Sequence, residues 1–161
     1  MGYRPVRVLH VDDDPQMTAL VAAHLQRRGF LCEQLHDSTR TLQSLVAFQP
    51  QIVLLDVDMA ELDGLQVLRQ IQSYDAGICV IMVTGVTSLK VLNESQHSGA
   101  DDCVFKPLAS FAELDAAIAR AESKLAAWDE LFAGIASRRR EFAPSVYTPD
   151  FIAGNCPALT H

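Results

Sequence analysis

Residues 52–64 read IVLLDVDMAELDG. The first four are apolar without a break, and the fifth is aspartate. A strand with one wet face alternates apolar and polar residues. An unbroken apolar run of this length is what a strand covered on both faces requires. Strands of that kind belong to parallel sheets with helices packed on either side. The carboxylates that follow, Asp56, Asp58, Glu61 and Asp63, are either solvated loop residues or parts of a site.

The same alternation extends in both directions. Arg7 to Val11 predicts a short strand that stops at Asp12-Asp13-Asp14-Pro15. Asp14 suits an N-cap and Pro15 the first helical position. The helix that follows sets Met17, Leu20, Val21, His24 and Leu25 on one face, and Gly29 ends it. Phe30 to Leu35 predicts a second strand. Ser38 or Thr39 starts a helix with Leu42, Leu45 and Val46 inward, closed before Pro50. Gly64 to Ser73 predicts a helix with Leu65, Leu68 and Ile71 on its apolar stripe. Ile78 to Val83 is a further buried strand, Ser88 to His97 a helix, and Cys103 to Phe105 a short fifth strand before Lys106-Pro107. His10, inside a buried strand, is expected to be packed and hydrogen-bonded.

The fold class is therefore α/β, a (βα)5 chain with a doubly wound parallel sheet. Four of the five strands end in polar residues: Asp12 and Asp13, Asp56, Thr84, and Lys106. The carboxyl ends of the strands form the ligand edge of such a sheet, and the site sits where strand order reverses.

Beyond the fifth strand, Ser110 and Glu113 match a capping box. Apolar residues then fall at Phe111, Leu114, Ile118, Ala121, Leu125, Trp128, Phe132 and Ile135, a heptad repeat. A helix that merely covers the sheet accounts for Phe111 to Leu125. It does not account for Trp128, Phe132 and Ile135, since a helix of ~30 residues is ~45 Å long. The heptads favour a parallel homodimer, with Lys124 and Asp129 at g and e positions able to pair across chains. Pro144, Pro149, Gly154 and Pro157 predict an irregular tail over 143–161, or the start of an output region.

Composition excludes several classes. The 161 residues carry a net charge of −7, which argues against binding to nucleic acid or to anionic membranes. Ala76 to Leu89, the longest uncharged apolar-rich run, falls short of the ~20 residues that span a bilayer. No signal-peptide pattern is present, so a cytoplasmic protein is expected. The four cysteines, Cys32, Cys79, Cys103 and Cys156, form no CxxC pair, so neither a zinc site nor a disulfide framework is expected.

Clustered carboxylates repel one another, so a cation is implied. Hard oxygen ligands in an open site suit Mg²⁺. An aspartate can also attack phosphorus and carry the phosphoryl group as an acyl phosphate. Such a transfer needs positive charge and hydrogen-bond donors around the equatorial oxygens. Asp56 can attack, Asp12 and Asp13 can hold Mg²⁺, Lys106 supplies a point charge, and Thr84 supplies a hydroxyl. Each residue alone has an ordinary explanation: Asp14 starts a helix, and Asp63-Gly64 makes a turn. Their joint placement at four strand ends does not.

Four segments together resemble a response-regulator receiver domain of two-component signalling: VLHVDDDP (8–15), IVLLDVDMAELDGLQVL (52–68), VIMVTG (80–85) and GADDCVFKPL (99–108). The resemblance covers roughly residues 5 to 124. It implies a flavodoxin-like sheet of order 2-1-3-4-5, with residues 1–124 as receiver and 125–142 as a helical extension of its last helix. It implies Asp56 as phosphoacceptor and a Mg²⁺ site formed by Asp12, Asp13, Asp56 and the backbone carbonyl of Asp58. Thr84, Gly85 and Lys106 fall at phosphoryl-binding and switch positions, and the Lys106-Pro107 peptide is implied to be cis. The implied partner is a sensor histidine kinase or a phosphotransfer protein. Three departures stand out. Ala60 replaces a usual proline, which predicts a looser loop; Cys103 replaces the usual aromatic switch residue; and Asp58 adds a negative side chain beside the implied phosphorylation site, which predicts an altered lifetime of the phosphoryl group. Two rival readings fit parts of the same pattern: a receiver-like binding module that is not phosphorylated, and a haloacid-dehalogenase-type phosphatase built on Asp56 and Asp58.

Overall fold

The computed structural model describes residues 4–85 and 88–142. The tail expected to be irregular, 143–161, lies outside the described residues, and Cys156 with it. A first compact unit runs to Leu125, and a second begins at Ala126.

The first unit is built on five strands: β1 Arg7–Val11, β2 Leu31–Leu35, β3 Ile52–Leu55, β4 Cys79–Thr84 and β5 Asp102–Phe105. All pairings are parallel, in the order β2-β1-β3-β4-β5. Helices α1 Pro15–Arg27, α2 Thr41–Phe48, α3 Gly64–Tyr74 and α4 Leu89–His97 link them, and α5 Ala112–Phe142 follows. This is the α/β architecture and strand order implied by the resemblance, with the long last helix present.

The period of two along each strand sorts the core. Val8, Leu54, Ile81, Val83 and Val104 face α1 and α5, against Val21, Leu25, Leu114, Ala117, Ile118 and Ala121. Leu9, Val11, Val53, Leu55, Val80 and Met82 face the other way, against Leu45, Val67, Leu68 and Ile71 of α2 and α3. Every residue of β3 and of β4 is buried, so each apolar position has a covered face to fill. Full burial of each such side chain is worth ~1.5–3 kcal/mol.

Local signals set the ends. Asp14 accepts hydrogen bonds from the backbone of Gln16 and Met17, with Pro15 at the first helical position of α1. Gly29 follows at φ +91°, a left-handed turn that glycine makes without penalty. Several expectations need correction. Leu20, Leu42 and Val46 are exposed at 53%, 41% and 60%, and Thr18, Ala22 and Thr41 are buried instead. Asp37 caps a short 3-10 turn, Ser38–Arg40, ahead of α2. The carbonyl of Phe111 takes the first hydrogen bond of α5, so Ser110 lies one residue outside the cap and no capping box forms. Lys124 pairs with Asp101 in its own chain, which competes with the cross-chain pair expected for it.

In the second unit, Trp128 stacks on Phe132 one turn later with ring centroids 5.9 Å apart. Trp128, Leu131, Phe132 and Ile135 are all exposed. Among the described residues, no helix is long and apolar enough to cross a membrane.

Candidate functional site

Strand register brings the polar strand ends together. Val11 of β1 pairs with Leu55 of β3, so the residues that follow, Asp12 and Asp56, leave adjacent strands at one level. The Asp56 N–H donates to the Val11 carbonyl at 3.0 Å. Thr84 of β4 pairs with Phe105 of β5, and the Lys106 N–H donates to the Thr84 carbonyl at 2.9 Å. Strand order reverses between β1 and β3, where both buried aspartates sit.

Lys106 reaches into this edge. Its Nζ lies 2.8 Å from Asp12 Oδ2 and 3.1 Å from Asp56 Oδ2. The peptide between Lys106 and Pro107 is cis. Asp12 and Asp56 are buried, and Asp13 is exposed beside them. One ammonium thus faces two buried carboxylates, with a third close by. Asp12, Asp13 and Asp56 each offer an oxygen, all within 4.8 Å of one another. Burial raises the Asp56 carboxyl above its ordinary range; the Lys106 charge opposes this and the Asp12 charge adds to it. Burial pulls the Lys106 ammonium down, but the hydrogen bond to Asp12 and the charge of Asp56 outweigh it and leave it raised.

Asp56 Oδ1 is buried and has no hydrogen-bond partner among the described residues. A buried carboxylate oxygen left unpaired is costly. An orphaned oxygen beside two further carboxylates fits a hard divalent cation, which takes oxygen ligands and keeps several waters. Asp12, Asp13 and Asp56 are the residues able to hold it.

Thr84 is fully buried at the end of β4, and Gly85 after it is exposed. Asp58 is exposed. The Ala60 N–H donates to Asp13 Oδ2 at 3.1 Å. Cys103 is half-buried against the α2 and α3 side of the core, and burial, then Asp102, pushes its thiol upward. Asp63 caps α3 by accepting from the Gln66 N–H at 2.9 Å.

Two features escaped the sequence reading. A Cβ at Gly64 would stand 2.1 Å from the Asp56 carbonyl oxygen, so the Asp56 backbone is packed against a residue that must be glycine. His10 is buried as expected but not hydrogen-bonded. Neither ring nitrogen has a partner among the described residues, and Nε2 is 3.8 Å from Asp12 Oδ2. Burial, partly opposed by Asp12, pushes the His10 imidazole down to about 4. Neither feature has a motif; both depend on what the folded chain brings near.

A family model described as response regulator receiver domain matches residues 8–119. The transcriptional regulatory protein TrcR of Mycobacterium tuberculosis is 33% identical over 103 residues, 64% of this chain and 40% of that protein. The chain thus spans less than half the length of that relative. A CheY-like receiver domain protein from Methanospirillum hungatei shares the fold, with TM-score 0.70 and 24% identity over 75% of this chain and 97% of that one. Response regulator TrrA from Thermotoga maritima, solved in complex with Mg²⁺ and BeF, has TM-score 0.66 and 25% identity over 72% of this chain and 98% of that one.

Proposed function

The chain belongs to the response regulator receiver family, and from that premise we propose that it is a signalling switch whose phosphoacceptor is Asp56. One observation carries this reading: Asp56 Oδ2 is held by Lys106, while its buried Oδ1 is unpartnered. A nucleophile needs one oxygen fixed and the other open.

In the transfer, an Asp56 oxygen attacks phosphorus and the bond from phosphorus to the donor nitrogen breaks. Asp56 then carries the phosphoryl group as a mixed anhydride, which water later hydrolyses. Lys106, already between Asp12 and Asp56, pairs with a phosphoryl oxygen. The Thr84 hydroxyl and the backbone at Gly85 supply hydrogen bonds to the other oxygens. Mg²⁺, when bound by Asp12, Asp13, Asp56 and the Asp58 carbonyl, neutralises charge on the phosphoryl oxygens. The donor is a sensor histidine kinase or a phosphotransfer protein. The chain catalyses its own phosphorylation and dephosphorylation and turns over no other substrate. It acts in the cytoplasm, and this chain makes no direct contact with nucleic acid. Residues 1–124 form the receiver, 125–142 extend its last helix, and the exposed heptad residues of that extension form a parallel homodimer.

Beryllofluoride with Mg²⁺ tests the reading without a kinase. A ligand at 100 times its Kd stabilises the folded state by about 2.7 kcal/mol. The wild type is expected to show a raised melting temperature, and Asp56→Asn none. Equal responses from the two proteins would place the ligand elsewhere and remove Asp56 as acceptor.

A further inference from the structure

The carboxylates of the site are not held alike. Asp12 is fixed at both oxygens: Oδ1 accepts from the Asp14 N–H at 2.9 Å and Oδ2 from Lys106 at 2.8 Å. Asp56 is fixed at one oxygen by Lys106. Asp13 is exposed, and among the described residues its side chain has a single hydrogen-bond partner, the backbone N–H of Ala60. That bond joins positions 47 apart in the chain. It ties the turn after β1 to the loop between β3 and α3, the loop that carries Asp58. The far end of that loop is anchored as well, by the Leu62 N–H on Ser38 Oγ at 3.0 Å and the Gly64 N–H on the Val57 carbonyl at 2.9 Å.

We propose that the Ala60 amide is a positioning group for the cation site, holding the exposed Asp13 carboxylate by one oxygen so that the other is presented to the metal. This rests on the reading of the acidic cluster as a cation site given above. A carboxylate has two acceptor oxygens, so a hydrogen bond on one leaves the other for a ligand. Ligating carboxylates that are themselves hydrogen-bonded arrive oriented, and loss of such outer partners costs 10–100-fold in metal affinity. An exposed aspartate lacking this bond must give up rotamer freedom each time it binds. The device needs the N–H of residue 60 and not its side chain. Proline is the one residue that removes it, because its ring nitrogen carries no hydrogen. Ala60 thus keeps a connection between the acidic turn and the Asp58 loop that proline would break.

The test compares wild type, Ala60→Gly and Ala60→Pro by calorimetric titration with Mg²⁺, alongside amide hydrogen exchange at Ala60 in metal-free buffer for wild type and Asp13→Ala. Ala60→Gly keeps the N–H and is expected to bind Mg²⁺ as the wild type does. Ala60→Pro is expected to bind about 10-fold more weakly. The Ala60 amide is expected to exchange faster in Asp13→Ala than in wild type. Equal Mg²⁺ affinity in Ala60→Pro and Ala60→Gly, or equal exchange with and without the Asp13 carboxylate, overturns the positioning role while leaving the cation site standing. A wild type that binds no Mg²⁺ overturns both.

Discussion

His10 is the residue at which burial and function pull hardest against each other. Its imidazole is 2% exposed, with no hydrogen bond on either nitrogen among the described residues. A buried polar group left unpaired costs about 1–3 kcal/mol. Its pKa falls from 6.5 to about 4. The unfolded chain therefore binds a proton that the folded chain refuses between those values. The stability this group allows is fully present above pH 6.5 and is lost as pH falls toward 4, by roughly 3 kcal/mol in all. His10→Leu in metal-free buffer is expected to be more stable than wild type at pH 7, and to lose less stability between pH 6.5 and 4. Urea denaturation across that range measures both. Parallel curves for the two proteins would mean that His10 is solvated or partnered in solution. Asp12, Asp13, Asp56 and Lys106 were legible in the sequence, because a strand end followed by a charged residue is a local pattern. The orphaned state of His10 and the fit of Gly64 against the Asp56 carbonyl were not. Both depend on distances between chain segments, which no spacing rule encodes.

Among the elements, strands read more truly than helix faces. β1 and β3 have the bounds their runs predict; β3, IVLL, is buried at every position, and β1 carries one buried polar residue, His10, among its apolar ones. A helical period marks an apolar arc but not how much of that arc the sheet covers. In α2, eight residues long, only Thr41 and Leu45 are buried, and Leu42 and Val46 face water. In α5 the repeat runs on unbroken while burial does not. Leu114, Ile118 and Ala121 are in the core, whereas Trp128, Phe132 and Ile135 are 50%, 62% and 44% exposed. A heptad face this apolar is suited to a second copy of itself. Multi-angle light scattering is expected to show a dimer for the wild type and a monomer for Phe132→Glu, which sets a charge in the seam. A wild type that stays monomeric at high concentration, with and without beryllofluoride, removes the dimer.

For the whole molecule, topology does the assembling. Parallel order β2-β1-β3-β4-β5 sets the ends of β1 and β3 at the point where the winding reverses, and sets Thr84 and Lys106 on the same edge. The two cores on either side of the sheet carry the stability, so the edge can hold carboxylates that repel one another. That edge is what a phosphoryl group needs: a nucleophilic oxygen, a lysine, a hydroxyl and a place for a cation. The intact mass of the protein after incubation with acetyl phosphate and Mg²⁺ tests this most directly. The wild type is expected to gain the mass of one phosphoryl group, and to gain none when Mg²⁺ is chelated or when Asp56 is replaced by asparagine. A wild type that gains nothing, or an Asp56→Asn protein that gains as much, contradicts the account.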